Sequence, residues 1–294
     1  MASRKEMLRG GRPSERPMPI GLRLMRAAFA GLGPVLPGLL GRWACHLWFQ
    51  TRRFPESAAG RQAIRSARRE TLTVDGIPVA VYRWGETGPV VVFIHGWSGR
   101  GSQVTAFIEP LQAAGFRVLS LDAPGHGNTP GDRTNILECV RVLQACEQHY
   151  GPFHSAITHS FGGMVLALAL ARGMPVGRAV CFSTPADAGF LLDSFASTLA
   201  MPKAVVVNLN KRLERRFDGN FRERLSTVNN VRRLSVPALI IHDAGDTGVP
   251  WWHGEQIAAA WPGARFLKTR GLGHGRILRD PATVRAAVEF LGAG

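Results

Sequence analysis

Short apolar runs alternate with segments of helical periodicity from about Glu70 to the end of the 294-residue chain. The runs are nearly continuous stretches of Val, Ile, Leu, Phe and Ala, as in PVVVFIHG, FRVLSLDAPGHG, SAITHS, GRAVCFST and PALIIHDAGD. Continuous apolar runs are typical of strands buried on both faces of a parallel sheet. The pattern predicts an α/β fold, with a mostly parallel sheet of about eight strands and helices on both faces.

Two intervals depart from this alternation. TLTVDGIPVAVYRW alternates apolar and polar residues around Asp75-Gly76, which predicts an antiparallel hairpin at one edge of the sheet. Between Thr184 and Ser235 no buried strand is evident and the sequence has helical character. We therefore expect a helical lid, inserted after the sixth strand at about residues 185–235. Its stretch AVVVNL is compatible with a strand as well as with a helix.

The first 69 residues form a separate segment in this interpretation, ahead of an α/β domain at residues 70–294. Their apolar stretch Ala27–Gly41 contains Pro34 and Pro37 and is shorter than the ~20 residues that a membrane-spanning helix needs. We expect a pair of short helices, broken at the prolines, that lies on a surface or touches a membrane. A cleaved signal peptide is the alternative.

Charge is concentrated in the same segment. The chain has a formal net charge of +15, and residues 1–70 hold 14 Lys and Arg against four Asp and Glu, a net +10. One interpretation is a solvated, Arg-rich leader, and the other is peripheral contact with the anionic inner face of a membrane. We expect no nucleic-acid partner.

The cysteines indicate the cellular compartment and whether a metal site is to be expected. The chain has four, Cys45, Cys139, Cys146 and Cys181, and they show neither C-x-x-C nor the Cys/His spacing of a zinc site. Free thiols indicate a reducing compartment, so we expect a cytoplasmic protein. No phosphate-binding loop or dinucleotide motif follows a strand. We therefore expect no cofactor and no metal, and the sequence leaves the oligomeric state open.

Candidate chemistry lies where the predicted strands end, because sites in such sheets form outside the carboxyl ends of strands. The fifth strand runs into Ser160 in AITHSFGGM, the seventh into Asp243 and Asp246, and the eighth into His274. A serine hydroxyl becomes a nucleophile when a histidine, oriented by a carboxylate, takes its proton. The alternative for Ser160 is a serine that only caps the following helix.

The motifs at these strand ends resemble those of the α/β-hydrolase family. They occur in the order HGWSG, DAPGHG, HSFGG, DAGDTGVP and GLGHG over residues 70–294. The resemblance implies that Ser160 is the nucleophile, His274 the base and Asp246 the acid, with Asp243 as the alternative acid.

The same resemblance locates the groups that would surround a substrate. It places an oxyanion hole at the backbone N–H groups of Trp97 and Phe161. The candidate side chains of the substrate pocket are Trp97, Phe161 and Trp251. We expect the substrate to be a small molecule with an acyl group.

Other polar residues in these motifs are expected to support loops. His95, His126 and Asp122 are predicted to order the turns by hydrogen bonding. Arg100 is either a loop anchor paired with a nearby acid or a contact for an anionic substrate. His159 is expected to point away from the site, because it directly precedes Ser160.

The elbow departs from G-x-S-x-G at Thr158, where the first glycine would stand. Gly162 and Gly163 keep room on the C-terminal side of the turn. A β-branched residue is at home at the end of a strand. We predict strained backbone dihedrals at Ser160, and crowding at Thr158 that a small facing residue absorbs.

These residues predict a serine hydrolase that cleaves a carboxylic ester or thioester through an acyl-enzyme. Amide hydrolysis, C–C hydrolysis and acyl transfer can use the same catalytic set and stay open. A non-catalytic or membrane-associated scaffold on the same fold is the alternative from another class. It is suggested by the basic N-terminal segment and by the substituted elbow.

Overall fold

The structure is a computed structural model that describes residues 18–293. Its eight described strands are β1 Arg68–Val74, β2 Ile77–Trp84, β3 Val90–Ile94, β4 Arg117–Leu121, β5 Phe153–His159, β6 Val176–Phe182, β7 Ala238–Asp243 and β8 Arg265–Thr269. They form one sheet in the order β1-β2-β4-β3-β5-β6-β7-β8. The pairs β1/β2 and β2/β4 are antiparallel, and every other neighbouring pair is parallel. The predicted sheet, with its antiparallel edge hairpin, is confirmed.

The helices mostly fill the intervals that helical periodicity predicts. They are α1 Ile20–Leu32, α2 Pro37–Trp48, α3 Ala58–Ser66, α4 Thr105–Ala113, α5 Ile136–Tyr150, α6 Phe161–Ala171, α7 Ala188–Thr198, α8 Lys203–Arg216, α9 Phe221–Arg224, α10 Thr227–Val231, α11 Trp252–Ala260, α12 Gly273–Arg276 and α13 Pro281–Gly292. Asn135 caps α5, because its side chain accepts hydrogen bonds from the amides of Leu137 and Glu138.

The strands are apolar because both faces of the sheet are covered. All five residues of β3 are buried, and successive residues point to opposite faces. On one face Phe93 and Ile157 belong to a core that includes Phe107 of α4 and Ala287 of α13. The sheet therefore holds the carboxyl ends of β3, β5, β7 and β8 as a rigid edge for the loops that follow.

Residues 49–188 and 222–293 form one compact unit, which contains the sheet, and residues 18–48 and 189–221 form another. The second unit consists mainly of α1, α2, α7 and α8. A boundary at residues 69/70 was expected, but residues 49–69 group with the sheet. The indole N–H of Trp84, for example, donates to the carbonyl of Ala63 at 3.1 Å.

The interval after β6 is helical, with α7 to α10 between Phe182 and Ala238. The strand alternative for AVVVNL is wrong, because these residues lie inside α8. Val205, Leu209 and Leu213 of α8 are buried, and their spacing of four is helical. A lid role for the interval stays a prediction.

The apolar N-terminal stretch forms two short helices, as predicted. Helix α1 ends at Leu32, ahead of Pro34, and α2 begins with Pro37, which is a favoured first residue of a helix. Residues 1–17 of the predicted segment lie outside the described residues. No helix within residues 18–293 has the length and hydropathy to cross a membrane.

Candidate active site

Ser160 occupies a strained turn between β5 and α6. Its φ is +53° and its ψ −121°, a region that residues with a Cβ atom rarely adopt. A Cβ on Gly162 would lie 2.7 Å from the carbonyl oxygen of His95, and one on Gly163 would meet the side chain of Thr184. The glycines after the serine are therefore required by close backbone packing, and the strain predicted at Ser160 is observed.

The hydroxyl of Ser160 makes no capping hydrogen bond to α6. The helix-capping alternative for this serine is therefore wrong. Its backbone is held instead, because the Ser160 amide donates to the Phe182 carbonyl at 2.8 Å and its carbonyl accepts from Gly163 at 3.0 Å. The turn fixes the backbone and leaves the hydroxyl available.

Thr158 fits into the sheet at the position where the elbow motif usually has glycine. It is fully buried, and its direct partner on β6 is Cys181. Its hydroxyl lies 3.5 Å from the carbonyl oxygen of Val180. The small Cys181 side chain provides the room that we predicted for the threonine.

A carboxylate and an imidazole meet next to this turn. Asp246 lies in the turn after β7, and His274 lies on α12, the short helix after β8. Nδ1 of His274 is 2.7 Å from Oδ2 of Asp246. Oδ1 of Asp246 accepts the backbone N–H groups of Gly248 and Val249, each at 2.9 Å. The backbone thus holds one oxygen of the carboxylate and aims the other at the imidazole.

His242 is a second histidine at this carboxylate, and the sequence reasoning missed it. Its Nε2 lies 2.8 Å from the Val249 carbonyl oxygen and 3.4 Å from Oδ2 of Asp246. Burial alone would raise the pKa of Asp246. Hydrogen bonds from His242 and His274, together with the Val249 amide, outweigh burial and hold that pKa well below its usual range. Asp246 is therefore ionised at neutral pH.

Asp243, the alternative acid, organises the loops instead. Its Oδ1 accepts the amide of Gly245 at 2.9 Å. Its Oδ2 accepts the hydroxyl of Thr269 at 2.7 Å and the amide of Leu272 at 3.0 Å. Within residues 18–293 none of its hydrogen bonds involves an imidazole. Of the two candidates, the structure brings Asp246 to His274.

His159 does not point away from the site, so that expectation is wrong. Its Nε2 lies 2.8 Å from the backbone carbonyl oxygen of His274, and the two rings are 4.8 Å apart. Burial, together with the nearby His274, lowers the pKa of His159 to about 4. A neutral His159 therefore donates from Nε2 to His274, and this bond ties the loop of His274 to the residue directly before Ser160.

Two backbone donors lie beside Ser160, at the predicted positions. A Cβ on Gly96 would be 3.0 Å from the Ser160 Cβ, and the rings of Trp97 and Phe161 contact each other edge to face at 5.1 Å. Phe161 is the first residue of α6, where an amide has no partner within the helix. In the described part of the chain, neither the Trp97 nor the Phe161 amide donates to another protein group. Both are available to an anionic oxygen.

His95 and His126 brace the loop that carries Trp97. The Ala123 amide donates to Nε2 of His95 at 3.0 Å, and the Ser98 amide donates to Nε2 of His126 at 2.9 Å. Burial lowers the pKa of His95 to about 4 and that of His126 to about 3. Both rings are therefore neutral acceptors that join the loops after β3 and β4, in the supporting role predicted for them.

Asp122 and Arg100 also support loops. The carboxylate of Asp122 accepts the amide of Gly101 and the hydroxyl of Tyr82, each at 2.7 Å. The guanidinium of Arg100 donates to the carbonyl of Phe54 and lies 3.7 Å from the Glu56 carboxylate. Of the two interpretations of Arg100, the structure supports the loop anchor.

Trp251 lies directly before α11, and the ammonium group of Lys268 lies over its ring. Within the described residues its ring contacts neither Trp97 nor Phe161, so its place in a substrate pocket stays a prediction. No cluster of three or more potential metal-ligating side chains occurs within residues 18–293.

Comparisons with known proteins show the family and the fold. A family model described as the alpha/beta hydrolase family matches residues 91–287. The pimeloyl-(acyl-carrier protein) methyl ester esterase of Aromatoleum aromaticum is 29% identical over a match that covers 68% of this chain and 97% of that protein. The lysophosphatidylserine lipase ABHD12 of Danio rerio is 27% identical over 58% of this chain and 46% of its own length. The chain thus spans about half of that lipase.

A solved structure shows the same fold. The esterase from Exiguobacterium antarcticum matches with a TM-score of 0.60 and covers 76% of this chain and 98% of its own. At 15% sequence identity, this likeness concerns the fold alone.

Proposed function

The chain belongs to the alpha/beta hydrolase family, and on that premise we propose that it is a serine hydrolase that cleaves carboxylic esters or thioesters through an acyl-enzyme on Ser160. The observation that carries the proposal is the linkage of Asp246, His274 and the elbow. Asp246 binds Nδ1 of His274, and the carbonyl of His274 is bound by His159, the residue next to Ser160.

The proposed first step follows from the way Asp246 orients the His274 ring. Ionised Asp246 accepts the Nδ1 proton, which leaves the lone pair of His274 on Nε2. Nε2 takes the proton of Ser160 as its oxygen attacks the acyl carbon. The amides of Trp97 and Phe161 stabilise the negative charge that develops on the acyl oxygen.

The remaining steps release the leaving group and hydrolyse the acyl-enzyme. His274 gives its proton to the leaving alcohol or thiol, and the acyl group stays on Ser160. His274 then takes a proton from water, the hydroxide attacks the acyl-enzyme, and the proton returns to Ser160. Asp246 stays ionised throughout and stabilises the imidazolium.

Ester substrates are favoured by the relatives. The protein from Aromatoleum aromaticum is named for a methyl ester and the protein from Danio rerio for a lysophospholipid. Amide hydrolysis, C–C hydrolysis and acyl transfer use the same groups and are alternative reactions of this site. The scaffold alternative gains nothing from the elbow, because the substitution at Thr158 leaves the turn strained and the hydroxyl uncommitted.

Hydrolysis of p-nitrophenyl esters of graded acyl length tests the proposal. We expect turnover by the wild-type protein and a loss of about 10⁴-fold or more in kcat/KM for Ser160→Ala. The matched control is Ser183→Ala, because Ser183 also has a positive φ, +50°, but is fully buried. It should stay within about tenfold of wild type, since burial keeps it from substrate. Undiminished activity of Ser160→Ala would contradict the mechanism.

A further inference from the structure

Large apolar side chains are exposed in one part of the described chain. Of the ten with substantial exposure, nine lie within residues 18–54: Met18, Ile20, Leu24, Leu32, Val35, Leu36, Leu39, Trp43 and Phe54. The tenth, Val207, lies on α8. Exposure of scattered single residues is ordinary, but a concentration of this kind marks an interaction surface.

The exposed residues follow helical spacing. Ile20 and Leu24 of α1 are one turn apart, and on α2 Leu39 and Trp43 are one turn apart. Ile20 is 73% and Leu39 62% exposed. We call the exposed side of the two helices the outer face, defined by Ile20, Leu24, Leu32, Val35, Leu36, Leu39 and Trp43.

The other side of these helices is already packed. Phe29 of α1 is fully buried and stacks on the ring of Trp43 at 4.8 Å. Leu40 and Ala44 of α2 are buried, and Gly41 approaches the Cβ of Asn208 on α8. Apart from Trp43, whose ring also stacks on Phe29, the residues of the outer face take no part in these contacts.

The charge in the stretch of sequence that carries the outer face has one sign. No Asp or Glu occurs from Arg16 to Pro55. Arg23 and Arg42 are exposed next to Leu24 and Trp43. A second copy of the chain on this face would bring the arginines of the two stretches together with no carboxylate from either stretch, which is unfavourable. An anionic lipid surface complements both the charge and the apolar side chains.

We propose that the outer face of α1 and α2 binds the surface of an anionic lipid bilayer, with both helices lying in the plane of the interface. The apolar side chains enter the boundary between head groups and acyl chains, and Arg23 and Arg42 contact anionic head groups. Each helix is too short to span the bilayer. The inference is independent of the chemistry at Ser160.

Co-sedimentation of the full chain with vesicles of phosphatidylcholine, with and without phosphatidylserine, tests the proposal. The apolar variant is Ile20→Ser, Leu24→Ser, Leu39→Ser, and its control is Phe54→Ser, an exposed apolar residue outside the helix pair. The charge variant is Arg23→Gln, Arg42→Gln, and its control is Arg279→Gln, Arg285→Gln, exposed cations near and on α13. Circular dichroism checks that each variant is folded.

We expect the wild-type chain to bind phosphatidylserine vesicles more tightly than phosphatidylcholine vesicles. The apolar variant should lose at least about tenfold in affinity for both kinds of vesicle. The charge variant should lose about tenfold for phosphatidylserine vesicles alone. Both controls should bind as the wild type does.

Equal binding by the wild-type chain and the apolar variant would overturn the proposal, and so would the absence of wild-type binding. Sedimentation velocity tests the other candidate occupant of the outer face, a second copy of the chain. A concentration-dependent dimer that the apolar variant abolishes, without vesicle binding by the wild type, would assign the face to a second copy.

Discussion

Two regions of the molecule depart in opposite directions from the usual distribution of polar and apolar side chains. They are the loops at the carboxyl edge of the sheet and the outer face of α1 and α2. Next to Ser160, the carboxylates Asp243 and Asp246 and the ring of His159 are buried. On the outer face, Ile20 and Val35 are 73% and 77% exposed. Both arrangements are unfavourable in isolation, because buried charges lose water and exposed apolar groups retain it.

The two regions differ in how the unfavourable burial or exposure is offset. Each buried carboxylate is matched by donors of its own unit, such as the amides of Gly248 and Val249 at Asp246. The outer face has no such match among the described residues of its unit. The buried carboxylates thus find their partners within the chain, whereas we propose that the outer face finds its partner in lipid.

The largest effect is expected from replacing one oxygen of the buried Asp246 carboxylate with an NH₂ group. In Asp246→Asn, the amide oxygen can keep the bonds to Gly248 and Val249, but the NH₂ group faces Nδ1 of His274. The imidazole then carries its proton on Nε2 and cannot take one from Ser160, so kcat/KM should fall about 10⁴-fold. Ester hydrolysis measures this, and thermal unfolding checks that the fold is retained.

Asp243→Asn is the matched control for that prediction. It weakens the bonds to Thr269 and Leu272, so we expect its main effect on the unfolding temperature. A larger loss of activity in Asp243→Asn than in Asp246→Asn, with both variants folded, would exchange the roles of the two carboxylates.

The same substitution should have opposite signs in the two regions. Gly162→Ala places a methyl group against the carbonyl oxygens of Ile94 and His95, so we expect destabilisation by about 1–3 kcal/mol. Gly31→Ala on α1 meets no atom within 4 Å and should stabilise by roughly 0.5–1 kcal/mol, because alanine favours the helix. Urea unfolding measures both, and equal signs would contradict the contrast in packing.

Three buried histidines should make the stability of the fold depend on pH. Burial lowers the pKa of His95, His126 and His159 from 6.5 to about 4, about 3 and about 4. Below pH 6.5 the unfolded chain therefore binds protons that the folded chain does not. The free energy of unfolding should fall as pH falls towards 4, by up to roughly 1.4 kcal/mol per pH unit for each histidine.

His95→Gln should flatten this dependence, since one buried imidazole is removed. His149→Gln, the same substitution at an exposed position on α5, is the control for the change of side chain. Urea unfolding across the pH range gives the slopes, and a stability that is constant between pH 6.5 and 4 would mean that these rings are not held neutral.

Much of the sheet was predictable because buried parallel strands leave continuous apolar runs, such as VVVFI in β3. Ser160, Asp246 and His274 were predictable as candidates because each follows a strand in a motif. His159 was misjudged because its contact depends on the return of α12, 115 residues later in the chain. His242 left a signal, a polar residue within the buried strand β7, four positions before Asp246.

The sequence was less informative about the helices outside the sheet. AVVVNL is rich in β-branched residues, and its helical form depends on the packing of Val205 and Leu209 within α8. The outer face was not predictable residue by residue, because apolar residues occur on both sides of α1 and α2. On α2, the side that carries Gly41 is buried because it packs against Asn208 of α8.

The most direct test of the proposed chemistry is labelling with a fluorophosphonate, followed by peptide mass spectrometry. The probe reacts with a serine that a neighbouring base has activated. The account predicts one phosphonyl adduct, on Ser160, that forms in the wild-type chain and in Ser183→Ala and is strongly reduced in Asp246→Asn. A folded wild-type chain that carries no adduct on Ser160, or carries it on another serine, would contradict the account.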